Sequence, residues 1–132
     1  MRATPSAVID GKPWDTPSMT VGTEATDKIN VVVSVKQATH GGQHKVPKLV
    51  GWLSGSSTGT PVVATAPSAG TAIKTSGRGT LTEHLADKVF QITLDGNGYA
   101  DVELSEAGVA TFYLVLVQPN GDLVVSGAIT FA

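Results

Sequence analysis

The stretch Val109-Ala-Thr-Phe-Tyr-Leu-Val-Leu-Val-Gln-Pro-Asn-Gly-Asp-Leu-Val-Val-Ser-Gly-Ala-Ile-Thr-Phe131 limits what this chain can fold into. Two apolar runs flank Asn120-Gly121, the dipeptide that best signals a two-residue type I′ turn between antiparallel strands. That turn sets a register: Gln118 opposite Leu123, Leu116 opposite Val125, Leu114 opposite Gly127, Phe112 opposite Ile129 and Ala110 opposite Phe131. Beyond the first pair this face is apolar throughout. The other face sets Val117 against Val124, Val115 against Ser126, Tyr113 against Ala128 and Thr111 against Thr130, and is mixed. A slip of one residue would exchange the faces, so the pattern specifies the register. Pro119 has no N–H and removes one bond from the pair nearest the turn. A long hairpin of this kind predicts a β-sandwich or barrel.

The remaining composition agrees. At 132 residues the chain suggests one domain. A chain of this size buries roughly two-thirds of its unfolded surface, enough for a core. Charged residues are 15% of the total, against about a quarter in ordinary domains. Thr, Ser, Gly, Ala and Val stand in their place, which suits strands and turns and equally suits a surface partly covered by neighbours. The net charge of −2 and the absence of a polybasic patch speak against nucleic-acid binding. There is no cysteine, hence no disulfide framework and no thiolate metal site. The beginning, Met1-Arg-Ala-Thr-Pro-Ser-Ala-Val8, lacks a signal-peptide apolar core, and no run is long enough to span a bilayer. Synthesis and assembly in the cytoplasm, with no membrane partner, are the expectation.

Residues 1–17 contain Pro5, Pro13 and Pro17 and keep no period, so they read as an extended arm preceding a domain at 18–132. Val8, Ile9 and Trp14 make the arm apolar enough to lie on something. Trp14 packs back on its own domain or docks on a partner subunit, tryptophan being a common interface anchor. Short strands are expected at 18–21, 29–37 (Ile29, Val31, Val33 and Val35 on one face), 48–54, 80–84 and 89–94. Trp52 is placed like the core tryptophan of an immunoglobulin-type sandwich, without the accompanying cysteines. The stretch 54–79, rich in Gly, Ser, Thr, Ala and Pro, reads as a long loop covering a sheet edge, with short strands at Val62-Val63 and Ala72-Ile73. Thr82–Asp87 is the one place where a single helical turn fits. Gly98-Tyr-Ala-Asp-Val-Glu-Leu104 is echoed ten residues on by Gly108-Val-Ala-Thr-Phe-Tyr-Leu114. Strands recurring near that interval, with turns between, are the sandwich signature.

No catalytic constellation emerges. His40 and His44 lie in a Gly-rich loop where their spacing guarantees nothing, and no third ligand is evident, so a solvated loop is the better reading than a metal site. Asp95, Asn97 and Asp101 faintly follow calcium-loop spacing, but Tyr99 and Ala100 stand where a ligand and a glycine are needed, which favours a strand turn. Asp101 and Glu103 share a strand face and read as a solvated edge rather than a glycosidase pair. Ser76-Gly-Arg-Gly79 lacks the lysine of a phosphate loop. Arg78 at its tip is either solvated or a contact residue, and it joins Val8, Ile9 and Trp14 as the partner-binding set. No cofactor is implied.

Ala110-Thr-Phe-Tyr-Leu114 and Gln118-Pro-Asn-Gly-Asp-Leu-Val-Val-Ser-Gly-Ala-Ile-Thr-Phe-Ala132 resemble a group of small structural proteins of tailed bacteriophages. Ile29–Val35, Trp52–Ser54 and Ala64–Ile73 are similar to the same group. The arm and the His40–His44 loop have no counterpart in it. The resemblance implies an immunoglobulin-like antiparallel β-sandwich and a non-enzymatic place in the virion. The leading expectation is a capsid decoration (cement) protein that binds the major capsid protein on the outer head and stabilises it, in symmetric clusters or as a homo-oligomer. The alternative is a tail- or fibre-associated protein or host-surface binding module.

Overall fold

The computed structural model describes residues 17–35, 48–118 and 121–132. Among them are ten strands: β1 (Ser18–Val21), β2 (Lys28–Ser34), β3 (Lys48–Ser54), β4 (Thr71–Ile73), β5 (Thr80–Leu85), β6 (Val89–Thr93), β7 (Tyr99–Ser105), β8 (Ala110–Val117), β9 (Leu123–Val125) and β10 (Ile129–Phe131). They form two antiparallel sheets, one of order β1-β2-β7-β4, the other of order β10-β8-β3-β6-β5 with β9 also on β8. The fold is all-β and sandwich-like. Thr82–Leu85 belongs to β5, and Ala86 and Asp87 to the turn that follows it, so no helical turn forms there.

The core follows from alternation. Ile29, Val31 and Val33 pair with Leu104, Val102 and Ala100 and point inward from the four-stranded sheet. Leu49, Leu53, Phe90, Ile92, Leu114 and Leu116 meet them from the other. Phe112 and Phe131 close one end, edge to face, with ring centroids 6.1 Å apart and planes at 77°. The echo between 98–104 and 108–114 now has a cause. β7 and β8 are consecutive strands in opposite sheets, and Val102 with Leu104 faces the core as Phe112 with Leu114 does.

The hairpin is present, with its register split. Far from the turn Phe112 pairs with Ile129 and Ala110 with Phe131, as expected. Near the turn Leu116 pairs with Val124 and Val117 with Leu123, one residue away from the expected register. Asn120 lies outside the described residues, but its flanks explain the shift. Gln118 N–H donates to the Asp122 carbonyl (2.8 Å), and Gly121, at φ +92°, donates to the Gln118 carbonyl (2.8 Å). The connection therefore has three residues with glycine at the left-handed position, not two. Pro119, like Asn120, lies outside the described residues. An extra residue between Val125 and Ile129 restores the register, and Ser126 repairs the break: its Oγ accepts the Leu114 N–H at 2.9 Å and donates to the Gly127 carbonyl at 2.8 Å.

Trp52 does not occupy the core. Leu49, Gly51 and Leu53 of β3 turn inward, so Val50 and Trp52 turn outward. The indole N–H donates to the Gly59 carbonyl at 2.7 Å, pulling the 55–63 loop over the outer face of the six-stranded sheet. Gly59 lies so close to Val115 and Val125 that a Cβ there would stand 2.9 Å from a Val125 methyl. The loop thus covers a sheet face rather than an edge. Val62 bridges only Ser54, while β4 is the edge strand expected at Ala72-Ile73.

Candidate functional site

Of the expected contact residues, Val8, Ile9 and Trp14 lie outside the described residues, as do His40 and His44. Arg78 is described. It sits in the 74–79 loop that leads from β4 to β5, and it reaches across the outer face of the four-stranded sheet to Asp101 of β7. Its backbone N–H and Nε donate to Asp101 Oδ2 at 2.8 and 2.9 Å, and its Nη2 donates to Oδ1 at 2.9 Å. Asp101 N–H returns a bond to the Arg78 carbonyl at 3.0 Å. The guanidinium carbon also stands 4.3 Å from the centroid of the Tyr99 ring. These Arg78 hydrogen bonds hold the Asp101 carboxyl down at about 2. The Arg78 side chain remains 44% exposed, so one face of the cation meets solvent while the other is occupied.

The expectation of a solvated carboxylate edge fails at Asp101. β7 lies between β2 and β4, so the strand is interior, and Asp101 is buried. Glu103 points the same way but pairs with Lys28, at 3.9 Å. Asp95 Oδ1 accepts the N–H groups of Asn97 (3.0 Å) and Tyr99 (2.9 Å) and closes the β6–β7 turn, the strand turn favoured over a calcium loop. No group of three or more potential ligands among the described residues converges as a metal site.

Other acidic side chains do similar work. Glu106 accepts the N–H groups of Ser68 and Gly108 at 3.0 and 2.9 Å; the Gly108 and Ser68 bonds keep its carboxyl below the usual range. Asp87 accepts the Thr71 N–H at 3.1 Å, and Glu24 accepts the Ala132 N–H at 2.9 Å. A shallow groove of about 330 Å³ runs between β4 and β5, lined by Thr71, Ile73, Leu81 and Glu83. The sequence reading also missed an outward apolar row on the six-stranded sheet, Val50, Val117 and Leu123. Its signal was the apolar residue at the outward position of Lys48–Ser54.

In comparisons with protein-family models, curated proteins and solved structures, nothing matches the chain. No helix among the described residues is long and apolar enough to cross a membrane.

Proposed function

We propose that the chain is a non-enzymatic structural protein of a tailed-phage particle, a decoration protein that binds the outer surface of the head and stabilises it. The observation that carries the reading is the use of the ionisable side chains. Asp95, Asp101, Glu106 and Arg78, the groups nearest to any chemistry, are bonded to the loops and turns beside them. The result is a stiff two-sheet body with pinned loops, which suits a part that holds neighbours together. The contacts in this reading are the arm with Val8, Ile9 and Trp14, the 54–79 loop, and the exposed face of Arg78. Each contact is weak by itself and gains from repetition by symmetry.

Strand order supports an immunoglobulin-like reading of the two sheets. β1-β2-β7-β4 follows the A-B-E-D order of that fold, and β9/β10-β8-β3 follows G-F-C. β6 and β5 extend the second sheet beside β3, but in the chain they follow β4 rather than precede it.

The test is the copy number and position of the chain in purified particles, by imaging and quantitative mass spectrometry. On the order of hundreds of copies on the head is the expected result, given the head's higher symmetry. A few copies on the tail would shift the reading to a tail-associated protein. Absence from the particle would overturn it.

A further inference from the structure

The two sides of the sandwich end differently. On one, the Ala132 N–H beyond β10 donates to Glu24 beyond β1 and ties the sheets together. On the other, β4 and β5 are the edge strands, and the groove of about 330 Å³ opens between them. β4 is three residues long, and its Thr71 N–H is taken by Asp87 Oδ1. β5 is six residues long and pairs with β6 alone. Its pairing is regular from Thr80 to Glu83, before the bulge at His84. Among the described residues nothing pairs with its second edge, and such an edge is a template for another strand.

The groove beside that edge holds polar groups that lack partners. Thr71 is 5% exposed, yet its Oγ1 is buried with no hydrogen-bond partner. Buried hydroxyls are normally bonded, so the exception calls for a donor or acceptor from elsewhere. Glu83 pairs with the core residue Phe90, which puts it on the inward face of β5 at the mouth of the groove. Its Oε2 accepts the Asp87 N–H at 2.6 Å, but no lysine or arginine among the described residues pairs with it. Lys88, in the same turn as Asp87, is turned away to the Ala64 carbonyl at 2.8 Å. Between these polar groups the wall is apolar, formed by Ile73 and Leu81.

We propose that this groove docks an extended segment of a partner protein, which adds as a strand to the second edge of β5 and sets a lysine or arginine against Glu83. An added strand continues the alternation of the sheet, so its side chains beside Leu81 and Glu83 point into the groove. An apolar one meets Leu81 and Ile73. The cation donates to the Glu83 carboxylate and has Thr71 Oγ1 as a further acceptor. Charge decides the occupant: a second copy would bring an identical uncompensated carboxylate to the same edge, and like charges there oppose pairing. The inference stands without the particle reading.

The test is a titration of the full ¹⁵N-labelled chain with the peptide acetyl-Thr-Val-Thr-Lys-Thr-Val-Thr-amide, up to about 1 mM, followed by amide resonances. The expected result is that Leu81, Thr82 and Glu83 shift more than any amide of β1 or β10. Norleucine in place of the peptide's lysine should weaken binding about tenfold or more, and so should Glu83→Gln, which keeps an acceptor for the Asp87 N–H. Thr71→Val should weaken binding about fivefold without lowering the melting temperature, since Oγ1 has no partner to lose. Absence of shifts at Leu81–Glu83 overturns the proposal. So does equal binding of the norleucine peptide, or unchanged affinity in Glu83→Gln or Thr71→Val. Shifts at β5 that grow with protein concentration alone assign the edge to a second copy and overturn it as well.

Discussion

Asp101 accepts hydrogen bonds from both the backbone and the side chain of Arg78, and a consequence in pH follows. Its folded value of about 2 lies below the ordinary carboxylate value of about 3.9. A lowered value means that the unfolded chain binds the proton more readily. The stabilisation is therefore complete above about pH 4 and disappears as the pH falls through about 2. Asp101→Asn should lose on the order of 1–2 kcal/mol at neutral pH, moderated because Arg78 is partly in solvent, and should flatten the acid limb of a stability–pH curve measured by urea unfolding. Phe112 offers a test of packing alone. Buried against Phe131, it should cost about 3–5 kcal/mol on replacement by alanine, and an unchanged melting temperature would contradict its place in the core.

The β8 hairpin shows what binds an element together when its ladder is interrupted. At the bulge after β9 the Leu114 N–H has Ser126 Oγ as its acceptor in a buried setting. Ser126→Ala should leave that N–H unpaired and cost about 1–3 kcal/mol, with faster hydrogen exchange at Leu114 than at Leu116 as the readout. This element also marks how far the sequence could be read. Its strands, the apolar face of Phe112, Leu114 and Leu116, and the pairing of Phe112 with Ile129 were legible because a period of two leaves a strong trace. The split register was not, because Asn-Gly also fits a three-residue connection with glycine last, and Gln118-Pro119 gave no contrary sign. Trp52 misled for a different reason. Alternation already set it opposite Leu49 and Leu53, yet analogy placed it inside. Nor could the clasp of Arg78 on Asp101 be foreseen, since the two are 23 residues apart and meet only through the sheet.

At the scale of the whole molecule, the apolar row of Val50, Val117 and Leu123 makes a prediction of its own. Val50→Lys with Leu123→Lys, both at exposed positions, should leave the two sheets folded, with near-native β-sheet circular dichroism. The doubly substituted protein should stay dispersed at concentrations where the unaltered chain self-associates, as measured by sedimentation. Equal self-association of the two proteins would show that the row drives none of it.

The described chain enters the sandwich at Pro17, beside Ser34 and Tyr99, and finishes at the far pole, where Ala132 bonds to Glu24. The poles are separated by the length of β7, seven residues or about 23 Å. A label fused after Ala132 therefore stands away from Val50, Val117 and Leu123. Anchored by that label to a sensor chip, the molecule presents its Leu123 pole to solution; anchored through a cysteine placed at Gly96, in the turn before β7 where a side chain meets no neighbour, it presents Ala132. Comparing capture of the same particle in the two orientations would tell which pole would face the head in the proposed reading.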